Sequence, residues 1–138
     1  MLSAENNRKV CKRVLVVDDA VEILMVMRFL LESKGYIVDT AQNGQEALEI
    51  LNSGQVLPAA IVLDMMMPVM DGPAFRKEQL SDKRLAKIPT IVATALSKNA
   101  MEEMNSRDFP NIIAKPIDID QFLGAIVAVT EDRKTSCS

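Results

Sequence analysis

Histidine is missing from all 138 residues, which removes the commonest general base and the commonest transition-metal ligand. Any chemistry must rest on carboxylates, hydroxyls and lysine. Cysteine is scarce: Cys11 and Cys137 lie near opposite ends, with no second cysteine at a metal-ligand spacing. Neither a zinc site nor a disulfide framework is indicated, and a reducing cytoplasm is the expected compartment. No stretch approaches the roughly 18 to 20 uninterrupted apolar residues of a membrane span. The polar start MLSAENNRKVCKR also lacks the apolar core of a signal peptide. Long runs of one charge are absent as well. Sixteen basic against nineteen acidic side chains leave a net charge of −3, so neither nucleic acid nor a membrane is an expected partner.

What is present fits one globular domain, since 49% of the residues are hydrophobic and the length is that of a single core. The domain is expected over residues 12–131, with a polar N-terminal extension at 1–11 and a tail at 132–138. Four runs rich in Val, Ile and Ala read as buried strands: RVLVVD from Arg13, AAIVLD from Ala59, IPTIVATA from Ile88 and NIIA from Asn111. A fifth, YIVDT from Tyr36, alternates more and reads as an edge strand. Helical patterns fall between them at Val21 to Lys34, Gln45 to Asn52, Pro73 to Ser81, Lys98 to Ser106 and Asp118 to Val129, with Gly35 suited to the C′ position of the first. Regular βα repetition predicts an α/β fold, a doubly wound parallel sheet whose function lies at the C-terminal ends of its strands.

Those ends carry an unusual set. The first strand closes on Asp18-Asp19 and the third on Asp64, three carboxylates on one rim that repel one another when bare. A hard divalent cation resolves the repulsion, and Mg²⁺, which prefers oxygen ligands and phosphate partners, is the expected cofactor. The fourth strand ends in Thr94-Ala95, offering a hydroxyl and a backbone N–H, and the fifth runs into Lys115-Pro116. These groups suit a transferring phosphoryl group, with Asp64 the best-placed nucleophile. Singly, an Asp after a strand is commonly a helix cap and a Lys before Pro a surface residue. The order of Asp-Asp, Asp, Thr and Lys at four strand ends favours a site.

At VVDD (16–19), LDMMMPVMDG (63–72), ATA (93–95) and AKPI (114–117) the chain resembles the receiver domain of two-component response regulators, over about residues 12 to 130. The resemblance implies a flavodoxin-like (βα)5 fold with strand order 2-1-3-4-5. It implies that Asp64 is the phosphoacceptor and binds Mg²⁺ directly with Asp19, that Asp18 binds it through water, and that the backbone carbonyl of Met66 completes the ligands. Thr94 and Lys115 would contact the phosphoryl oxygens, with the Ala95 N–H assisting, while Pro68 and Gly72 shape the loop after Asp64. The implied donor is a sensor histidine kinase or a histidine phosphotransfer protein, and the output a contact with a downstream protein. With no histidine, the chain cannot pass phosphate onward through a histidine of its own.

Three departures from the family pattern stand out. Ile112 occupies the position of the usual aromatic switch and is expected to be packed in the core. Met66 and Leu96, at positions that in similar proteins influence phosphoryl hydrolysis, cannot hydrogen-bond a water, which predicts at most slow self-dephosphorylation. The first helix, AVEILMVMRFLL, holds ten apolar residues in twelve, more than one buried stripe requires. Ile23, Val26, Met27 and Leu30 are expected to face the sheet, leaving Val21, Leu24 and Met25 outward as a docking patch for the phosphodonor. Alternatives are a receiver piece of a larger hybrid kinase or regulator, a phosphorylation-independent interaction module, and a phosphatase. The last would want an acid where Met66 stands.

Overall fold

The computed structural model describes residues 10–54, 56–95, 99, 102, 109–131 and 135–136. A five-stranded parallel sheet is built from β2 (Arg13–Val17), β3 (Ile37–Ala41), β4 (Ala60–Leu63), β5 (Thr90–Thr94) and β6 (Asn111–Ala114), in the spatial order β3-β2-β4-β5-β6. Counting these five strands alone, the order is 2-1-3-4-5, the doubly wound arrangement expected. A separate antiparallel ribbon pairs β1 (Val10–Cys11) with β7 (Thr135–Ser136), joining segments that the sequence reading assigned to an extension and a tail.

Alternation along each strand splits the core into two layers, because successive side chains leave opposite faces of a sheet. Val14, Val16 and Val62 pack with Leu24, Met27 and Leu31 of α1 (Val21–Glu32) and with Phe122 and Ile126 of α5 (Ile119–Thr130). Leu15, Val17, Ile61 and Leu63 pack on the other face with Ala47 and Leu51 of α2 (Gly44–Leu51), Phe75 of α3 (Gly72–Leu80) and Leu85 of the short α4 (Lys83–Ala86). Apart from residues 99 and 102, the predicted helix from Lys98 to Ser106 lies outside the described residues, as does Leu96 before it.

Helix ends follow local chemistry. In α2 the Asn43 side chain accepts from the Glu46 N–H at 2.9 Å while Glu46 accepts from the Gln42 N–H at 2.7 Å, a reciprocal cap. Asp71 and Asp118 cap α3 and α5 by accepting from Ala74 and Gln121. Helix α1 stops before the predicted Lys34: the Tyr36 N–H donates to the Leu31 carbonyl and the Gly35 N–H to Glu32. Gly35 sits at φ +92°, the left-handed turn-out that glycine adopts without steric cost.

Two sequence expectations are corrected. Leu24 is buried, only 6% exposed, in register with Met27 and Leu31, whereas Val26 is exposed beside Val21, Met25 and Phe29. The buried stripe therefore runs through positions i, i+3 and i+7, rotated from the one predicted, and Leu24 cannot belong to a docking patch. On β6 the core residue is Ile113; Ile112 leaves the opposite face and is half-buried. Period-two alternation allows only one of two adjacent isoleucines to enter that layer.

Candidate functional site

The sheet ladder itself delivers the acidic groups. One residue past the paired strands, the Asp18 N–H donates to the Ala41 carbonyl at 3.0 Å, the Asp64 N–H to Val17 at 2.9 Å and the Lys115 N–H to Thr94 at 2.8 Å. Each of these side chains thus stands on backbone tied to the neighbouring strand of the sheet. Carboxylate oxygens of Asp18, Asp19 and Asp64 come within 4.8 Å of one another, as the strand-end pattern predicted. Asp18, Asp64 and Thr94 are buried, while Asp19 is exposed.

Lys115 bridges Asp18 and Asp64 from the end of the edge strand β6. Its Nζ donates to Asp18 Oδ2 at 2.5 Å and lies 3.5 Å from Asp64 Oδ1. The other oxygen of Asp18 accepts from the Ala20 N–H at 2.9 Å, so Asp18 caps the start of α1, whose own N-cap residue, Ala20, has no capping side chain. The capping role and the site role coexist in one carboxylate. Asp64 is held above its ordinary value by burial and then by the charge of Asp18, against the opposing pull of Lys115 and a hydrogen bond from the Met66 backbone. One lysine does not offset three carboxylates. That surplus of hard oxygen donors, open on the Asp19 side, fits a divalent cation such as Mg²⁺.

The loop after Asp64 is tied down at both ends. The Gly72 N–H returns to the Met65 carbonyl at 3.1 Å, and the Gly44 N–H donates to Met70 at 2.8 Å. Gly72 is required by contact: a Cβ there would lie 2.5 Å from the Asp64 carbonyl oxygen and 2.7 Å from Met65 Cα, closer than real side chains approach. Between the ties, the Met70 N–H reaches back to Pro68 around Val69, which adopts φ +67°, an uncommon state for a β-branched residue. Met65 and Met67 are buried and Met66 is exposed.

The sequence reading missed a second polar cluster beneath the sheet. Arg76 Nη1 donates to Gln79 Oε1 at 2.8 Å and to Thr90 Oγ1 at 3.1 Å, and Gln79 Nε2 donates to the carbonyls of Leu85 and Ile88. It ties α3 to α4 and the start of β5. The i, i+3 spacing of Arg76 and Gln79 on a helix was the available signal. Among the described residues, no helix is long and apolar enough to cross a membrane.

Comparison with known proteins agrees with this geometry. A family model for the response regulator receiver domain matches residues 14–127. The polar-differentiation response regulator DivK of Brucella anthropi is 30% identical over 122 residues, spanning 88% of this chain and 98% of that protein. The alkaline phosphatase synthesis transcriptional regulatory protein PhoP of Bacillus subtilis is 32% identical over 124 residues, or 87% of this chain and 50% of that protein. The chain spans about half the length, or less, of several transcriptional regulators it matches. Among solved structures, the response regulator TrrA of Thermotoga maritima in complex with Mg²⁺ and BeF is 29% identical, with a TM-score of 0.74 over 86% of this chain and 98% of that one. The chemotaxis response regulator CheY4 of Vibrio cholerae gives 26% and 0.77 over the same shares.

Proposed function

The chain belongs to the response regulator receiver domain family, and on that premise we propose that Asp64 accepts a phosphoryl group from a phosphohistidine on a sensor histidine kinase or a histidine phosphotransfer protein. An Asp64 oxygen attacks phosphorus as the P–N bond breaks, the electron pair leaving on the imidazole nitrogen, which gains a proton. The observation that carries this reading is the meeting of three carboxylates within 4.8 Å with Lys115 Nζ 3.5 Å from Asp64. Asp19, Asp64 and the Met66 carbonyl would hold Mg²⁺, with Asp18 as an outer ligand. Bound there, the ion supplies positive charge against the phosphoryl oxygens and screens the trio. Lys115, now shared between Asp18 and Asp64, turns to the incoming phosphoryl group, and the Thr94 hydroxyl and Ala95 N–H donate to it.

Docking of the donor is supported by an apolar surface beside the rim. Val21, Met25, Val26 and Phe29 are exposed on α1, and a groove of about 360 Å³ between α1 and α5 is lined by Ile23, Leu30, Ile117 and Ile119 and also by Lys115. A helix of the donor laid along α1 covers apolar area there and brings its histidine to Asp64. The domain would work in the cytoplasm, as a phosphoacceptor that signals by contact with a downstream protein, with slow self-dephosphorylation only.

Incubation with Mg²⁺ and a small acyl phosphate or phosphoramidate tests the reading. One phosphoryl mass should add to the wild type and none to Asp64→Ala. An adduct that survives Asp64→Ala, or that never forms, refutes it.

A further inference from the structure

Three consecutive methionines follow Asp64, and the fold treats the middle one differently. Met65 and Met67 are buried, Met65 with its Sδ against Gly72 and Met67 in the layer beneath the sheet, whereas Met66 is 64% exposed. Met66 is also fixed close to the nucleophile, because its backbone hydrogen-bonds the Asp64 carboxylate. Its side chain lines an open cavity of about 380 Å³ with Asp19 and Asp71, space through which water reaches the rim. A thioether is a weak acceptor that cannot orient such a water. A sulfoxide is a polar group that can.

We infer that Met66 is an oxidation site that sets the lifetime of phosphorylated Asp64, the exposed thioether reacting with a hydroperoxide to give a sulfoxide that speeds loss of phosphate. In that step the sulfur lone pair takes one peroxide oxygen as the O–O bond breaks. Sulfur is oxidised by two electrons, and hydrogen peroxide leaves as water. The sulfoxide oxygen then accepts a hydrogen bond from a water in the cavity, leaving that water's own lone pair free for phosphorus. The inference rests on Asp64 being the phosphoacceptor. Its chemical class of effector is a small peroxide, and its consequence is that oxidant clears the signal.

Glutamine resembles methionine sulfoxide in length and acceptor character, and leucine resembles the reduced side chain, so two variants bracket the states. Neither alters the Met66 carbonyl. The protein is treated with hydrogen peroxide and mapped by peptide mass, then loaded with a small acyl phosphate and Mg²⁺, desalted, and followed for loss of the phosphoryl mass. Met66 should gain oxygen ahead of Met65 and Met67, and oxidised wild type should lose phosphate several-fold faster than reduced. Met66→Leu should decay slowly with or without peroxide, Met66→Gln quickly in both, and methionine sulfoxide reductase should restore the slow rate. Oxidation at Met66 no faster than at its neighbours would overturn the inference, as would unchanged decay after oxidation. Equal acceleration in Met66→Leu would assign the effect to another methionine and overturn it too. If reduced wild type forms no Asp64 adduct, the phosphoacceptor reading falls and the inference with it; the peptide map tells the two failures apart.

Discussion

The strand-end rim and the outer face of α1 adjoin one another and break opposite rules of folding. At the rim, charged groups are buried: Asp64 is 7% exposed and Asp18 less, although taking a carboxylate out of water is costly unless it is paired. On α1, apolar groups are left in water, Met25 at 65% and Phe29 at 71% exposed. The rim recovers its cost through Lys115, the Ala20 and Met66 backbone, and the open side at Asp19. Among the described residues, nothing covers Val21, Met25, Val26 and Phe29 of α1 to a comparable degree. On the proposed reading, the rim is a site suited to an ion and a small group, and the α1 face a surface suited to another protein.

The largest effect should come from removing the cation that the rim depends on. Lys115→Met leaves Asp18 and Asp64 facing each other and takes away a donor to the transferred group. Phosphorylation by a small acyl phosphate should fall on the order of 10²-fold, as when one donor to a developing charge is deleted. A rate close to wild type would show that the trio needs only its metal.

Next is a pair of changes on α1, one residue apart, that should separate packing from docking. Leu24→Ala removes a buried side chain and should cost roughly 2 to 5 kcal/mol in urea unfolding. Met25→Glu, on the exposed face, should stay within about 0.5 kcal/mol. It should nevertheless weaken transfer from a phosphorylated histidine phosphotransfer partner while leaving the acyl phosphate reaction intact. Equal loss with both donors would place Met25 outside the docking surface.

The smallest effect concerns the charge of Asp64 itself. Burial first, and Asp18 second, hold its carboxyl above the ordinary 3.8, so the folded state binds this proton more tightly than the unfolded chain. The stabilisation that results is complete below about pH 3.8 and is lost as pH rises through the raised folded value. Asp64→Asn never ionises and keeps it. The variant's urea midpoint should therefore match wild type in acid and exceed it toward neutral pH, and added Mg²⁺ should narrow the gap by binding the intact wild-type site. A difference that does not change with pH would contradict the burial argument.

The two regions also differed in how legible they were. Asp18 and Asp64 each follow a short buried apolar run and Lys115 a short edge strand with one buried residue, and a parallel sheet carries every such junction to one rim, so spacing alone brought them together. Helix α1 offered no comparable contrast. With ten apolar residues in twelve, several rotations bury an acceptable stripe, and which one is realised depends on how Leu24, Met27 and Leu31 meet Val14, Val16 and Phe122. Ile112 and Ile113 posed the same problem on a strand, where two identical residues left the phase undetermined. The Arg76–Gln79–Thr90 cluster was hidden for a different reason: polar residues on a helix read as a solvated face unless the contacts beneath are known.

The ribbon of β1 and β7 has a practical meaning. It adjoins the start of β2, and α5 ends nearby, where Thr130 Oγ1 meets the Tyr36 hydroxyl at 2.9 Å just ahead of β3. Val10 and Ser136, the outermost described residues, therefore lie at the pole opposite the carboxylates, and a label placed on either one leaves the acidic rim facing solution. On the proposed reading, a form immobilised through that pole can meet a phosphodonor from the free side.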